Sequence, residues 1–568
     1  MKTWALQHPV TGRSYSRVVN RSNRIRSPLP RGGCAVSLLA ILFLAPIGPV
    51  SADPVTVTVD GAQTFQVIDG FGVNANHRSW NNNELQPVLD ALIDQGGMTL
   101  FRVVYDNTDW EATNANSDPF IINWDYFDTV YTSPEFQELW GMIGYLDQRG
   151  MSNGIILNFQ GNGPQWLGGA YLTPGDENQW AQMIASLLVY AKYTNQLQFT
   201  MVGPDNEPDN TPDPAQGVEV ADSTQYVTML HDLALELDTN GLGDIRFVAP
   251  DLAYGATNWL PDLMNDPVIM AKLAYFGEHS YSAEGADTVG VYDFLQQSAY
   301  PDRHFWMTEF NDWCESCDTG IGGSTDWTFF RGTAEYLLAH LANGASAGLV
   351  WEGYDSYYLI NNDWSYWGLF AVDDINATPK TYTPRKNFYT FAQFSKYIRP
   401  GAHRIGACGA TGPLSLLAFY HPNLGQLTLA GVNSGGQSAA LSGALTNLPP
   451  VSSLELLYTS STTNLCDAGA VPVTNGVFTA TVPADCVYTF TGFYAPCIAA
   501  ALVATNQQAV IVLSWTNVLT NYIVVATTDP STQPWTPLTN APQQNGGQQS
   551  ITIIPSEQRQ FFRLQKLP

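Results

Sequence analysis

Residues 199–207 read FTMVGPDNE, an apolar run that stops at a proline and continues into Asp205, Asn206 and Glu207. Seven other short apolar runs occur between residues 69 and 354, separated by longer segments with apolar positions three and four residues apart. The eight runs that we interpret as strands span residues 69–76, 99–106, 154–161, 199–207, 245–251, 274–282, 304–312 and 347–354. Short apolar runs indicate buried strands, whereas the longer spacing predicts helices. The pattern therefore predicts eight repeats of a strand followed by a helix.

Strands that alternate with helices pair in parallel, because each helix carries the chain back to the same end of the sheet. Eight such repeats favour a closed (β/α)8 TIM barrel, an α/β fold. The alternative is a doubly wound open sheet, which is disfavoured because no glycine-rich phosphate-binding loop opens any of the first helices. Functional side chains of a TIM barrel lie at the C-terminal ends of the strands. The segments GPDNEPD (203–209) and TEFND (308–312) end the fourth and seventh strands there.

After residue 400 the pattern changes to short alternating runs separated by Gly, Ser, Thr, Asn and Pro. This alternation predicts an antiparallel β-sandwich over 401–497, to which the early runs VTVTV (55–59) and TFQVI (64–68) are expected to add strands. Residues 498–568 repeat the pattern and predict a small immunoglobulin-like β module. The barrel itself is expected over 53–400.

Residues 1–52 differ from the rest of the chain. They contain one lysine, six arginines and no acidic residue, and they end in AVSLLAILFLAPIGPV (35–50) and a small-residue segment, VSA. This order is typical of a secretory signal peptide. A membrane anchor is the alternative, but Pro46 and Gly48 interrupt a run that is already shorter than a membrane span. We therefore expect a secreted protein, extracellular or periplasmic, without membrane attachment after cleavage.

The chain is strongly acidic. It carries 24 basic and 51 acidic residues, a net charge of −27, and removal of residues 1–52 would leave 17 basic residues and a net charge of −34. Such a surface repels nucleic acids and anionic membranes. We expect a monomer that acts on a neutral or cationic partner.

Six cysteines would remain after removal of the leader: Cys314, Cys317, Cys408, Cys466, Cys486 and Cys497. An even number in an exported protein is compatible with disulfides in several possible pairings. Cys314 and Cys317 form a lone C-x-x-C, for which a loop disulfide is favoured over zinc because no second pair or histidine motif is nearby. The surrounding acidic loop, NDWCESCDTG (311–320), could hold calcium, although a solvated loop is the simpler interpretation. No metal or organic cofactor is predicted.

Glutamates at the ends of the fourth and seventh strands are the best candidates for catalysis. Pro204 and Pro208 each fix φ and remove a backbone donor, so the chain leaves the sheet and can turn Asn206 and Glu207 toward the barrel mouth. The seventh strand would place Glu309 across the same mouth. Cleavage of a glycosidic bond requires such a pair, because one carboxyl group protonates the leaving oxygen while the other attacks or activates water.

Seven motifs recur at characteristic points of the predicted barrel. They are FQVIDGFG (65–72), FRV (101–103), GPQWL (163–167), PDNEP (204–208), HSY (279–281), TEF (308–310) and KYIRPGAHRI (396–405). Together they resemble those of clan A retaining glycoside hydrolases and, within that clan, family 30. The likeness covers about 60–495. Asn-Glu-Pro would be a weak signal alone, but its combination with a glutamate on the seventh strand is specific.

The resemblance implies roles for residues at the barrel mouth. Glu207 would be the general acid/base and Glu309 the nucleophile. Asn206 would hold the sugar 2-hydroxyl, while Arg102 and Tyr281 would contact the nucleophile. An arginine beside a carboxylate favours the ionised form that attacks. The alternative for Arg102 is a salt bridge within the barrel.

Four further residues complete the predicted substrate-binding set: Trp351, His279, Trp166 and Asn158. Trp351 would form the floor under the scissile sugar, because an aromatic ring matches the apolar C–H face of a pyranose. His279 could instead be a satisfied core histidine, and Trp166 could simply cap the barrel.

The loop after the eighth strand is rich in aromatic residues and is interpreted as part of a carbohydrate-binding cleft. These residues are Tyr354, Tyr357, Tyr358, Trp364 and Trp367. Trp80, Trp110 and Trp124, which follow the first two strands, are expected to extend this cleft.

The expected function is hydrolysis of a β-linked polysaccharide, of β-glucan or xylan type, by retaining double displacement. Two departures from the family leave the substrate open. Residues 158–167 read NFQGNGPQWL where a serine- and proline-rich stretch is usual, and the loop after the eighth strand lacks an obvious arginine with which the glucuronoxylan-specific branch grips its acidic side group. The alternatives are a non-catalytic carbohydrate-binding or adhesion protein and a transglycosylase that uses the same residues.

Overall fold

The structure is a computed structural model that describes residues 54–210, 216–253, 258–281, 288–318, 323–494, 499–504, 509–516, 522–528, 535–545, 548–554 and 560–566. The signal peptide predicted over 1–52 lies outside these ranges. Within them, no helix combines the length and the apolar character needed to cross a membrane.

Eight parallel strands close into a barrel, which confirms the predicted TIM-barrel fold. After the N-terminal strand β1 (Val55–Val67), the barrel strands are β2 (Gly70–Asn76), β3 (Leu100–Tyr105), β4 (Ile155–Phe159), β5 (Met201–Gly203), β6 (Arg246–Leu252), β7 (Leu273–Ser280), β8 (His304–Phe310) and β9 (Ala347–Val350). They pair in chain order, and β2 closes the ring by pairing with β9. Most positions in these strands are buried, because helices cover the outer face. This burial explains why the strands read as nearly continuous apolar runs.

Helices follow the barrel strands, as predicted, and the last of them leads to the sandwich. They are α1 (Gln86–Asp90), α2 (Trp124–Tyr131), α3 (Pro134–Gln148), α4 (Glu177–Val189), α5 (Ser223–Thr239), α6 (Leu260–Met264), α7 (Pro267–Lys272), α8 (Val291–Gln297), α9 (Glu315–Asp318), α10 (Trp327–Ala342) and α11 (Lys386–Ser395). Local signals set their ends. The Asp222 side chain accepts hydrogen bonds from two backbone N–H groups at the start of α5, and a proline begins α3. Two hairpins follow β9, namely β10 (Ser356–Tyr358) with β11 (Asp363–Ser365) and β12 (Phe370–Val372) with β13 (Tyr382–Pro384).

The barrel interior is filled by layers of opposite polarity. An apolar layer comprises Leu100, Ile156, Met201, Val248, Trp306, Ala347 and Leu349. A polar layer follows toward the C-terminal ends of the strands and comprises Asn74, Arg102, Asn158, Asp251 and Thr308, all fully buried. Buried polar groups are costly unless they bond to one another. The polar layer therefore distinguishes this end of the barrel, here called the barrel mouth.

Nine strands form a second closed sheet, the predicted β-sandwich. They are β1 together with β14 (His403–Cys408), β15 (Leu414–His421), β16 (Gln426–Asn433), β17 (Ala439–Thr446), β18 (Ser453–Ser460), β19 (Cys466–Thr474), β20 (Val477–Val482) and β21 (Cys486–Phe493). Its core is apolar and includes Leu454, Tyr488 and Phe490. The pairing is antiparallel except between β1 and β17, which run parallel.

The described parts of residues 499–566 form a four-stranded and a three-stranded sheet. Their strands are β22 (Ala499–Ala504), β23 (Ala509–Thr516), β24 (Tyr522–Thr527), β25 (Thr536–Pro537), β26 (Gln543–Asn545), β27 (Gln548–Ile553) and β28 (Phe561–Lys566). Trp515 and Val524, one from each sheet, share an apolar core. This arrangement agrees with the predicted small β module.

Cys314 and Cys317 form a disulfide, so the predicted loop disulfide is confirmed. Cys408, Cys466 and Cys486 are unpaired, and Cys497 lies outside the described residues.

Candidate active site

Glu207 reaches the barrel mouth because β5 is short. The strand stops at Gly203, Pro204 leads the chain out of the sheet, and Glu207 takes a left-handed backbone conformation with φ of 48°. This conformation costs a residue other than glycine about 1–3 kcal/mol. A hydrogen bond from the backbone N–H of Glu207 to the carbonyl of Asp251, at 3.0 Å, helps to hold it. The residue is 8% exposed, and Asn210 Nδ2 donates to its Oε2 at 2.6 Å.

Glu309 lies at an irregularity of β8. Its Cα pairs with the Cα of His279 on β7, and the register shifts between this pair and the preceding pair, Glu278 with Met307. The extra residue, Thr308, makes the strand bulge, and such bulges redirect side chains next to functional sites. Glu309 is 6% exposed.

Arg102 connects the polar layer to Glu309. Its Nη1 donates to Asn74 Oδ1 at 2.8 Å and to Glu309 Oε2 at 3.2 Å. Its Nη2 donates to Asn206 Oδ1 at 2.6 Å and to Asp251 Oδ2 at 3.1 Å. The guanidinium is fully buried, so two carboxylates balance its charge instead of water. Arg102 thus makes both the contact with Glu309 implied by the resemblance and the alternative salt bridge within the barrel.

Tyr281 and His279 complete the surroundings of the two glutamates. Tyr281 Oη donates to Glu309 Oε1 at 2.8 Å. His279 Nδ1 lies 2.8 Å from Glu207 Oε1 and 3.8 Å from Glu309 Oε2. One atom each of Glu207, His279 and Glu309 lie within 4.8 Å of one another. His279 therefore links the two carboxylates.

Burial and hydrogen bonding set the proton balance of this cluster. Burial raises the pKa of Glu309, and the charge of Glu207 adds to the rise against the opposing charges of His279 and Arg102. Burial acts on Glu207 as well, but the hydrogen bond and charge of His279 outweigh it and lower the pKa of Glu207. Burial would lower the pKa of His279, but the charge of Glu309 and the hydrogen bond to Glu207 raise it. These directions favour a proton on His279 over one on Glu207.

The same three side chains are close enough to ligate a cation, but each is already engaged. His279 Nδ1 bonds to Glu207, and the positive charge of Arg102 lies 3.2 Å from Glu309 and repels a metal ion. Another group of comparable spacing within the described ranges is His77, Asp106 and Glu135. Arg78 forms ion pairs with both carboxylates of that group.

Two predicted asparagines lie in or against the polar layer. Asn206 accepts from Arg102, and its Nδ2 donates to the carbonyl of Gln216 at 2.8 Å. Asn158 is fully buried, and its Nδ2 donates to the carbonyl of Gly203 at 3.1 Å. Its contacts are thus with the barrel interior, and sugar binding by Asn158 stays a prediction.

Two predicted tryptophans are half-buried. Trp351 follows β9, and its ring centre lies 5.3 Å from that of Tyr358. It also packs against the apolar cluster that Tyr281 contacts, and its backbone N–H donates to the carbonyl of Phe310, the residue after Glu309, at 2.9 Å. Trp166 Nε1 donates to the carbonyl of Glu111 at 2.6 Å, which ties it to the loop after β3.

The aromatic loop after β9 divides into buried and exposed members. Tyr354, Tyr358 and Trp367 are buried, Tyr354 in the main core of the barrel and Trp367 in the apolar cluster around the disulfide. Tyr357 and Trp364 remain partly exposed. Trp80 and Trp110 are also buried in the main core, so the prediction that they extend the cleft is wrong. Trp124, at the start of α2, is 37% exposed.

Several contacts of the site are not singled out by the sequence. Asn74 and Asp251 are polar residues within otherwise apolar strand runs, and this position is a usable signal. Asp205 Oδ1 accepts from the backbone N–H groups of Asn206 and Val218, which fixes the turn before Glu207. Burial strongly raises the pKa of Asp205.

Comparison with known proteins finds similar chains, although no family model matches the sequence. Glucuronoxylanase XynC of Bacillus subtilis is 22% identical over 462 residues, 80% of this chain and 95% of that protein. The glycoside hydrolase family 30 subfamily 8 xylanase Xyn30A of Clostridium acetobutylicum has a TM-score of 0.59 at 20% identity, covering 77% of this chain and 99% of that one. The chain resembles glycoside hydrolase family 30. The endo-β-1,6-glucanase BT3312 has a TM-score of 0.56 at 16% identity, covering 77% and 94%.

These relatives confirm the resemblance that the motifs predict and the combination of a barrel with a β-sandwich. They are glycoside hydrolases, in agreement with the predicted enzyme class. At such identities the shared fold is established, whereas the roles of individual residues depend on the geometry described above.

Proposed function

We propose that the protein is a retaining β-glycosidase in which Glu309 is the nucleophile and Glu207 the general acid/base. The observation that carries this proposal is the approach of one carboxylate oxygen from each residue to within 4.8 Å. Retaining enzymes place the two carboxyl groups about 5 Å apart, because the nucleophile must reach the anomeric carbon. Inverting enzymes need about 6.5–9.5 Å to admit a water molecule. The short separation supports retention.

The reaction would proceed in two displacements. Glu309 attacks the anomeric carbon and the bond to the leaving oxygen breaks, while Glu207 donates a proton to that oxygen. In the second step Glu207 takes a proton from water, whose oxygen attacks the anomeric carbon and releases Glu309. Hydrogen bonds from Arg102 and Tyr281 hold the attacking carboxylate in position.

The acid form of Glu207 would arise from the proton on His279. That proton can move along the 2.8 Å hydrogen bond from His279 Nδ1 to Glu207 Oε1. A neutral His279 no longer lowers the pKa of either glutamate, whereas Arg102 and Tyr281 still donate hydrogen bonds to ionised Glu309. A protonated Glu207 beside an ionised Glu309 is the state that the two roles require.

A neutral β-linked polysaccharide, of xylan or β-glucan type, is the substrate that we propose. The relatives are named as a glucuronoxylanase, a xylanase and a β-glucanase. No Lys or Arg occurs between Trp351 and Phe370, and the next arginine, Arg385, bonds to both oxygens of Asp355 at 2.6 and 2.8 Å. Residues 351–370 thus offer no cation for an acidic side group, and the net charge of −27 disfavours a polyanion.

We also propose that the protein is exported, because residues 1–52 have the composition of a secretory leader. N-terminal sequencing of protein recovered from outside the producing cytoplasm should start near Asp53. A start at Met1 would contradict this proposal.

The experiment that tests the activity measures reducing sugar released from xylans, β-glucans, galactans and mannans. Wild type should cut a xylan or a β-glucan, and Glu309→Ala should lose about four orders of magnitude in kcat. Glu455→Ala, an exposed glutamate on β18, is the matched control and should behave as wild type. NMR of the first product should show the β-anomer. Activity that survives in Glu309→Ala, an inverted product, or no cleavage by wild type would refute the proposal.

A further inference from the structure

The loop after β8 connects a disulfide to the surroundings of Glu309. Cys314 and Cys317 are bonded to each other and buried. They belong to an apolar cluster whose other buried members are Phe329, Phe330 and Trp367. Tyr281 packs against this cluster and donates to Glu309 Oε1 at 2.8 Å. The disulfide and the candidate nucleophile therefore share one neighbour.

Trp313 directly precedes the disulfide and is 51% exposed. Its ring centre lies 6.2 Å from that of Tyr281, with an interplanar angle of 89°, and 5.7 Å from that of Trp367, with an angle of 67°. Edge-to-face contacts with two rings fix the plane of the indole. About half of the Trp313 surface remains accessible to solvent. The Tyr281 ring, which Trp313 contacts, carries the hydroxyl that donates to Glu309.

We infer that Trp313 is a binding platform for a sugar unit next to the one that is cleaved, and that the Cys314–Cys317 disulfide holds this platform in place. The inference rests on the proposed function and specifies one of its subsites. The ligand is a neutral pyranose unit of a β-linked polysaccharide, whose apolar C–H face packs on an indole. A single exposed tryptophan needs no explanation by itself. Here the fixed ring plane and the contact with Tyr281 carry the inference.

The disulfide acts on Trp313 through the backbone. It closes a four-residue turn that includes the start of α9, directly after Trp313. A cross-link reduces the conformations open to a loop. Glu309, in contrast, is held by its pairing with β7 and by Arg102. Loss of the disulfide should therefore disturb Trp313 and leave the carboxylates in place.

The first test compares kcat and KM of wild type, Trp313→Ala and Trp313→Phe on the polysaccharide that wild type cuts. Trp313→Ala should raise KM about tenfold with kcat nearly unchanged, because it removes binding that is equal in the ground and transition states. Trp313→Phe should restore most of the loss. An aryl glycoside with one sugar unit should be cut equally by all three. Tyr193→Ala is the control, since Tyr193 is 58% exposed and follows α4 at the other end of the barrel.

The second test removes the disulfide with Cys314→Ser/Cys317→Ser. KM for the polysaccharide should rise several-fold with kcat nearly unchanged. In a Trp313→Ala background the same change should have no further effect, because the two substitutions act through one contact. Additive effects in the combined variant would refute the link between the disulfide and Trp313.

The outcomes separate this inference from the proposed function. If wild type cuts a polysaccharide, Glu309→Ala does not, and Trp313→Ala matches wild type, the subsite is refuted and the proposed function stands. If wild type cuts nothing, the proposed function fails. Calorimetric titration of xylo- and gluco-oligosaccharides into wild type and Trp313→Ala then decides the subsite, since equal affinity or no binding to either protein would refute it.

Discussion

The barrel and the β-sandwich are both closed rings of strands, yet their interiors differ. The barrel mouth buries Arg102 between Asp251 and Glu309, whereas the sandwich core consists of residues such as Leu454 and Phe490. Buried charges cost free energy that pairing only partly offsets. Buried apolar surface contributes about 25 cal/mol per Å² to stability. The barrel mouth therefore holds polar side chains in position at a cost in stability. The apolar core of the sandwich contributes stability, and we expect it to leave the geometry of the site unchanged.

Arg102→Met in the barrel mouth should cause the largest losses of stability and activity. It leaves two buried carboxylates without their cation, which should lower the free energy of unfolding by roughly 3–5 kcal/mol. The loss of a hydrogen bond to Glu309 should also lower kcat/KM by about 10²–10³. Denaturant unfolding and steady-state kinetics measure the two losses.

Arg404→Met in the sandwich is the matched control. Arg404 lies over the ring of Phe65 at 3.7 Å and donates to Gln66. Its loss should cost less than about 1 kcal/mol and leave kcat/KM unchanged, because contacts of this kind are weak. Equal losses of unfolding free energy and of kcat/KM in Arg102→Met and Arg404→Met would contradict the difference between the barrel mouth and the sandwich.

Leu454→Ala in the sandwich should lower stability without lowering activity. Leu454 is fully buried in the sandwich, so its truncation should lower the free energy of unfolding by roughly 2–5 kcal/mol. kcat at temperatures below the unfolding transition should stay the same, since no side chain of the site changes. A drop in kcat that parallels the loss of stability would show that the sandwich shapes the site.

His279→Gln should have the smallest effect, and that effect should depend on pH. The pKa of His279 is raised above its ordinary 6.5 in the folded protein. A raised pKa stabilises the fold below the unfolded value, and this contribution is lost as pH rises through the folded value. A tenfold difference in proton affinity between the folded and unfolded states corresponds to about 1.4 kcal/mol.

The difference in unfolding free energy between wild type and His279→Gln should therefore be largest below about pH 6 and shrink as pH rises above about 6.5. Chemical denaturation from about pH 5.5 to 9 measures it, with His403→Gln in the sandwich as control. A difference that grows with pH would contradict the positive charge assigned to His279.

The barrel and its glutamate pair can be predicted from the sequence because both depend on local patterns. Barrel strands are buried on both faces, so they read as apolar runs, and Glu207 and Glu309 follow from the strand ends. The contacts of Asn74 and Asp251 with Arg102 depend on pairing between strands far apart in the chain. The bulge at Thr308 that redirects β8 has no local signature either.

Aromatic residues show another limit of the sequence. Trp80 and Tyr354 are buried although the sequence predicts them in a cleft, because composition does not reveal which face of a loop packs inward. Trp313 lies in a loop with several acidic residues, and the sequence alone suggests that this loop is simply exposed to solvent. In the structure, its ring packs edge-to-face against Tyr281. Only the neighbours of each ring in the folded structure show whether it is buried in the core or exposed near the site.

The most direct test of the proposed mechanism identifies the residue that becomes covalently attached to the sugar. An activated 2-deoxy-2-fluoro glycoside of the released sugar slows breakdown of the glycosyl-enzyme, which mass spectrometry of proteolytic peptides can then locate. We expect one fluoroglycosyl unit on the peptide that contains Glu309, and no label on Glu309→Ala. A label on Glu207 or on another residue, or no label together with an inverted product, would contradict the mechanism.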